Sequence, residues 1–467
     1  MILANSRRQN ECLLSKFMSN ISFRVFMLAA HGGSNSNALP LGGGAAVCEQ
    51  LVRQWGEVAN LDLTLLAPGP LKNAEIKEDL IDQSTPGHPR ATVRLVRLPI
   101  FESGEHPNNL STLRYASFCR QFEKLCTDYV LQQRPDVVLT HDISEGPNFR
   151  QLKSNGIPCV PIFHVDVADF FCRMYLNEFF SPRQCQEFFL KFHRSILCPD
   201  IIHLAFGKQF NAVQTCPKLI VPSQGMKEIM LDTYYNVENL DERIEVIPWG
   251  APLPLFSRAE VEDAIYQINS EFNLEPEDPV IVMLSRISPE KAQHKLIEAL
   301  AWGEELGMTI PHLKVIICGE AAYMGGDRFF NKLKTKANKL HKTRVIFPGH
   351  VGGLKKAAIL SRANVFVSTS RHESYGLTTM EAMSEGTPAI AIDTPGARQT
   401  IQKKTGIIVS RQEPIAPELW KNIYSVLTNK NYNLMLSEEA KKWATRENFA
   451  NAAEHILRVM EEVRLIC

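Results

Sequence analysis

Two carboxylates, Glu373 and Glu381, are separated by seven residues in the run Arg371-His372-Glu373-Ser374-Tyr375-Gly376-Leu377-Thr378-Thr379-Met380-Glu381-Ala382-Met383. A strand, Asn364–Ser368, comes before this run. Gly386 and then Pro388 close the helix that follows it, as a Gly cap and a trailing Pro do. Ala389–Ile392 is the next strand. The spacing predicts that Glu373 lies just outside a helix N-terminus and Glu381 about two turns inside, roughly 12 Å further by helical rise. A helix N-terminus offers free N–H groups and a positive dipole end, which suits phosphate. Gly376 permits close backbone approach. The chemistry expected is the binding of a polyhydroxylated, phosphate-bearing molecule whose hydroxyls donate to the carboxylates.

A second cluster, Ser285-Arg286-Ile287-Ser288-Pro289-Glu290-Lys291, follows the strand Val280–Leu284. In an open parallel sheet, ligands bind beyond the carboxyl ends of strands. Arg286 and Lys291 on one loop suit a diphosphate, each charge-assisted bond contributing roughly 1.5–3 kcal/mol. The blander account is a solvated surface pair. Gly42-Gly43-Gly44 lies between the first strand and the helix Ala45–Trp55, where glycines let a ligand approach the backbone. Its spacing fits neither the dinucleotide fingerprint nor a phosphate loop of the Walker type, and a flexible loop is the plainer explanation. His164, in Phe163-His164-Val165-Asp166, ends a strand as His141-Asp142 ends another. Such a His bonds a substrate hydroxyl or serves the structure. Further metal ligands have no place in the pattern, so no metal site is expected. Residues 170–197 carry Phe170, Phe171, Tyr175, Phe179, Phe180, Phe188, Phe189 and Phe192 among Arg173, Arg183, Lys191 and Arg194. They read as a core helix pair or as a peripheral surface for a membrane or lipid-linked acceptor.

These clusters need a scaffold. The 467 residues favour more than one domain, and 45% hydrophobic with 22% charged residues is a globular composition. Formal net charge is zero, so no basic field argues for nucleic acid. No apolar stretch reaches the roughly 18 residues of a membrane span. Eleven cysteines, an odd number without a CxxC pair, read as buried thiols in a reducing, cytoplasmic setting. Short apolar runs alternate with helical patterns, which predicts α/β units on parallel sheets. The expected strands are Phe23–Leu28, Leu61–Leu66, Thr92–Leu98, Val137–Thr140, Val160–Phe163, Leu219–Val221 and Ile244–Ile247. Val280–Leu284, Lys314–Cys318, Arg344–Phe347, Asn364–Val367, Ala389–Ile392 and Gly406–Val409 complete the set. The Pro-rich run Pro248–Pro254 is the expected hinge. The division expected is 1–20 as an extension, 21–252 and 253–437 as two domains, and 438–467 as helices that pack back on the first.

Taken together, these segments resemble the retaining glycosyltransferases of family 4, glycosyl transferases group 1. The resemblance rests on Glu373…Glu381, on Arg286…Pro289-Glu290-Lys291, on Val221-Pro222-Ser223 and Val246-Ile247-Pro248-Trp249-Gly250, and on Val345–Val351. It implies the GT-B architecture: two Rossmann-like domains with parallel sheets facing an inter-domain cleft, the first for an acceptor and the second for a nucleotide-sugar donor. By motif position it implies that Glu381 binds ribose and Glu373 the donor sugar. Gly376, Leu377 and Thr378 would then meet sugar and phosphate, and Arg286 and Lys291 the diphosphate. His164 would contact the sugar, Gly43 and Gly44 would close on the donor, and His350 and Val351 would border the base. No cofactor or metal is implied, and the acceptor is a glycan, a lipid or a small molecule. The chain departs from the family pattern where Ser285 and Ala292 replace Gly, and where Gln399 replaces an acid with Arg398 beside it. A sugar-nucleotide epimerase, a dehydrogenase, a nucleotide-sugar sensor and a scaffold are the competing classes. The dehydrogenase lacks its G-x-G-x-x-G after Leu28, and a scaffold would not need the cations and both carboxylates.

Overall fold

The computed structural model describes residues 22–31, 42–71, 76–80, 91–105, 107, 110–176, 179–192, 202–253, 255–322 and 325–466. The extension expected over 1–20 lies outside them. The chain divides into two compact units. The first comprises Met1–Pro222, Met226–Ile247 and Ala450–Cys467; the second comprises Ser223–Gly225 and Pro248–Phe449.

In chain order the first unit runs β1 (Phe23–Leu28), α1 (Gly43–Trp55), β2 (Leu61–Pro70), β3 (Lys77–Leu80), β4 (Thr92–Phe101), α2 (Thr112–Gln133), β5 (Val137–Thr140) and α3 (Phe149–Ser154). It continues with β6 (Cys159–Pro161), α4 (Val167–Tyr175), α5 (Pro182–Phe192), α6 (Lys208–Thr215), β7 (Leu219–Val221), α7 (Gln224–Thr233), α8 (Leu240–Arg243) and β8 (Ile244–Val246). Its main sheet has the order β3-β4-β2-β1-β5-β6. Every pairing in it is parallel except β3 with β4. The parallel strands are covered on both faces and therefore read as continuous apolar runs; Val137 to Thr140 are all buried. The strand β3 was not expected. Its residues Lys77-Glu78-Asp79-Leu80 are all exposed, so this edge strand carries charge instead of a hydrophobic pattern.

The second unit runs α9 (Arg258–Phe272), β9 (Val280–Leu284), α10 (His294–Glu305), β10 (Lys314–Cys318), α11 (Gly326–Ala337), β11 (Arg344–Ile346), α12 (Gly353–Arg362), β12 (Val365–Ser368), α13 (Leu377–Ser384) and β13 (Ala389–Ile392). Then come α14 (Pro395–Thr400), β14 (Gly406–Val409), α15 (Ile415–Thr428) and α16 (Lys430–Arg446). Its sheet, β11-β10-β9-β12-β13-β14, is wholly parallel. This is the doubly wound order, with its reversal between β9 and β12, and loops at such a reversal form a ligand crevice.

The last helix, α17 (Phe449–Ile466), returns to the first unit from Ala450 onward. There the Trp55 indole donates to the Ala453 carbonyl at 3.0 Å, and the Arg464 guanidinium lies 5.4 Å from the centre of the Phe23 ring. The sequence-based tail, 438–467, therefore needs correction. Its first helix starts at Lys430, capped by Asn429, which accepts from the Tyr432 N–H at 3.0 Å. That helix belongs to the second unit, and the border after the first unit falls at Ile247, ahead of the expected 252.

Candidate functional site

The crevice between β9 and β12 explains why residues distant in sequence meet. Val365 pairs with Ile281 and Phe366 with Val282, so the loops after both strands leave the same edge side by side. The loop after β9 supplies Arg286, Glu290 and Lys291; the loop after β12 supplies Glu373. Lys291 Nζ donates to Glu373 Oε2 at 2.9 Å and lies 3.5 Å from Glu290 Oε1. Arg286 reaches the other Glu290 oxygen at 3.4 Å. Burial works against the Lys291 charge, but Glu373 and then Glu290 hold its pKa above the ordinary lysine value. Burial likewise opposes ionisation of Glu290, which is 7% exposed. Lys291 first, then Arg286 and His372, hold its carboxyl below the usual range. The two expected cations are thus unequal. Lys291 is locked between two carboxylates with its side chain 13% exposed, while Arg286 is 36% exposed.

Backbone contacts fix this loop. Thr369 Oγ1 donates to the Lys291 and Ala292 carbonyls at 3.0 and 2.9 Å, and Gln293 Nε2 donates to the Arg286 carbonyl at 2.7 Å. Ala292 sits at φ 47°. This is left-handed backbone that disfavours a Cβ.

The second carboxylate sits less deep in its helix than its spacing suggested. Gly376 is the N-cap of α13 at φ 96°, where a side chain would be strained. The helix begins only at Leu377, so Glu381 stands about one turn inside, roughly 6 Å by rise, and the two-turn expectation is corrected. The residues before Gly376 do not count toward the rise because they are loop. Glu381 Oε1 is 2.8 Å from Lys356 Nζ on α12. Its Oε2 is buried and has no hydrogen-bond partner among the described residues. Leu377 and Thr378 form the first turn of α13. His350 is exposed and Val351 buried in the segment between β11 and α12. Arg398, the possible extra cation, is held by Asp393 at 2.6 and 2.7 Å.

In the first unit the sheet also reverses, between β1 and β5. His164, after β6, meets His141, after β5, at 3.1 Å between Nε2 and Nδ1. Burial pushes the His164 imidazole down to about 4, and burial followed by His164 pushes His141 well below its ordinary value. Both rings are therefore neutral near pH 7, and His164 can give or accept one hydrogen bond to a hydroxyl. A Cβ on Gly44 would come within 3.0 Å of His164 Cδ2, so the absence of a side chain there lets the helix N-terminus approach the ring. Gly43 next to it is exposed. Beyond the same strand ends, His31 Nε2 lies 3.4 Å from Glu145 Oε1, Tyr115 donates to that oxygen, and the His31 N–H meets Asp142 Oδ2 at 3.2 Å. His31, Asp142 and Glu145 bring potential ligand atoms within 4.8 Å of one another. Burial raises the Asp142 carboxyl to about 6. The sequence reading passed over this trio, and over Lys356, because each is a set of single residues without a shared spacing. Asp142 and Glu145, three apart after β5, are the one signal it held.

Residues 266–443 match the family model described as glycosyl transferases group 1. Among curated relatives, the chain is 29% identical over 188 residues to alpha-monoglucosyldiacylglycerol synthase of Streptococcus pneumoniae, covering 40% of each chain. The chain thus spans less than half the length of that relative. Among solved structures it resembles sucrose-phosphate synthase from Thermosynechococcus elongatus at a TM-score of 0.69, with 18% identity, covering 95% of this chain and 100% of the other. It also resembles Anabaena Alr3699/HepE in complex with UDP-glucose at a TM-score of 0.62, with 15% identity, covering 94% and 99%. The fold is the GT-B class of two parallel-sheet Rossmann-like units, and the second unit carries the group 1 glycosyltransferase region.

Proposed function

We propose that the chain is a retaining, metal-independent glycosyltransferase of family 4. It moves a sugar from a nucleotide-diphosphate-sugar to a glycan, lipid or small-molecule acceptor. The observation that carries this reading is the cluster at the second sheet's reversal. There, Lys291 is fixed by Glu373 at 2.9 Å, beside a helix that starts at left-handed Gly376 and holds Glu381 one turn in. Cations and a helix N-terminus stabilise a diphosphate, and carboxylates accept from hydroxyls.

The step to be catalysed breaks the bond between sugar C1 and the diphosphate oxygen. The acceptor oxygen forms a new bond to C1 on the same face, and its proton passes to the departing phosphate. Negative charge grows on that phosphate as the bond breaks. Lys291 and Arg286 are already held by protein carboxylates, so they oppose this charge without reorganising. On this reading Glu381 binds the ribose, Glu373 positions the sugar, and the Leu377 and Thr378 N–H groups meet the phosphate. His350 and Val351 border the base, and the first unit binds the acceptor. The UDP-glucose complex of the solved neighbour makes UDP-glucose the first donor to try, and the relative's name makes a diacylglycerol-type acceptor the first partner.

A panel of nucleotide-sugars, scored by nucleotide release, tests the reading. With a working donor, Glu381→Ala should raise donor KM most, and Arg286→Ala and Lys291→Ala should each lower kcat by about tenfold or more, the loss of roughly 1.4 kcal/mol at the transition state. Wild-type release by all three variants would falsify the site.

A further inference from the structure

We infer that Lys356 is a positioning residue that turns Glu381 toward free ribose hydroxyls and makes the site selective for them. The inference rests on the donor-site reading given above. Lys356 lies on α12 and Glu381 on α13, and the Nζ–Oε1 distance is 2.8 Å with side chains 31% and 17% exposed. A glutamate's terminal torsion is broad and roughly two-fold, so a lone carboxylate offers either oxygen in several orientations. Here one oxygen is engaged by an ammonium, and the other, buried and unpartnered among the described residues, is the one left to a ligand.

The chemistry of that ligand group follows. A desolvated carboxylate oxygen accepts hydrogen bonds and repels other lone pairs. It therefore rejects phosphate and takes a hydroxyl or an N–H. The anion-attracting end of α13 is at Gly376, about one turn away. A molecule that presents phosphate to the first turn and hydroxyls a turn further in matches both groups at once, as a nucleotide's ribose and diphosphate do. Lys356 adds no contact of its own to this match. It holds the orientation in which Glu381 makes one. Its loss should weaken binding only of those ligands that use the hydroxyl.

The two effects therefore form a thermodynamic cycle. UDP, GDP and ADP, each with its 2′-deoxy and 3′-deoxy counterparts, are titrated calorimetrically into wild type, Lys356→Gln and Lys356→Arg. Wild type should bind the ribose form about tenfold tighter than the weaker deoxy form, the size of one hydrogen bond to a charged acceptor. Lys356→Gln should shrink that ratio to about twofold, and Lys356→Arg should restore it, because the charge-assisted bond returns. A general loss of stability lowers affinity for both ligands and leaves the ratio unchanged, so thermal melts of the variants separate folding from positioning. A Gln variant that keeps the wild-type ratio overturns the role of Lys356 and leaves the donor site standing. Absence of any nucleotide binding by wild type overturns the donor site and this inference with it.

Discussion

At the scale of single residues, Ala292 and His164 make opposite demands on the chain. Ala292 holds a φ of 47° because Thr369 ties the carbonyls of the two peptides that flank its Cα. Left-handed backbone costs a non-glycine residue roughly 1–2 kcal/mol. Ala292→Gly should therefore raise stability by about 1 kcal/mol, less whatever flexibility it gives the unfolded chain, and a chemical melt reads this. A lowered midpoint would show that the loop is not strained. The histidines act through pH. His164 and His141 are held below their unfolded pKa values, so the unfolded chain binds the extra protons first. Their contribution to stability rises with pH between about 4 and 6.5 and is lost as pH falls through that window, by about 2 kcal/mol for His164 after allowance for its partial exposure, while the raised Asp142 carboxyl acts in the opposite sense. Urea midpoints at pH 7.5 and 5.0 should differ in wild type, and the difference should narrow in His164→Gln. Much of the candidate site was legible in the residues, since Arg286, Lys291 and Glu373 are charged groups just past strand ends and Glu381 sits on the helix that follows. That Lys291 meets Glu373 was not, because contact between loops after β9 and β12 depends on strand order.

Among the elements, buried strands were the easiest to read. The intervals Phe23–Leu28, Val137–Thr140, Val280–Leu284 and Lys314–Cys318 are the observed strands, because a parallel strand covered on both faces leaves an apolar run with sharp ends. The ends of β2 and β4 extend to Pro70 and Phe101, past the expected ends at Leu66 and Leu98, because backbone pairing continues through Pro68, Pro70 and Pro99, residues that read as strand breakers. The helix α9 escaped the reading although Ser257 and Glu260 form a capping box and Val261, Ala264, Ile268 and Phe272 repeat at helical spacing. The aromatic segment resolves into α4 and α5. Phe189 is 5% exposed, but Phe179 is 83% and Phe188 64% exposed, so the core-pair account holds for one face only; residues 193–197 lie outside the described part. Exposed phenylalanines of this kind favour an apolar partner. If that partner is a bilayer, the protein should sediment with anionic vesicles at low salt, and Phe179→Ser with Phe188→Ser should abolish it. Supernatant-only protein would remove the membrane from consideration. No helix among the described residues is long and apolar enough to cross one.

For the whole molecule, the route of the chain matters more than either sheet. It leaves the first unit at Ile247, builds the second, and comes back at Ala450. On α17, Ile456 and Met460 are fully buried and Leu457 nearly so, and each such side chain contributes roughly 1.5–3 kcal/mol when taken out of water. A chain ending at Phe449 should therefore melt well below the intact protein and bind a hydrophobic dye at temperatures where the intact protein does not. Equal melting would mean that α17 decorates the first unit without completing it. The return of α17 also sets a timetable. A ribosome adds about 5–20 residues per second, and the second unit occupies the roughly 200 positions from Pro248 to Phe449. The opening half of the polypeptide must thus wait roughly 10–40 s for its final piece, its Trp55 indole meanwhile lacking the Ala453 acceptor, which makes the nascent chain a customer for chaperones during that interval.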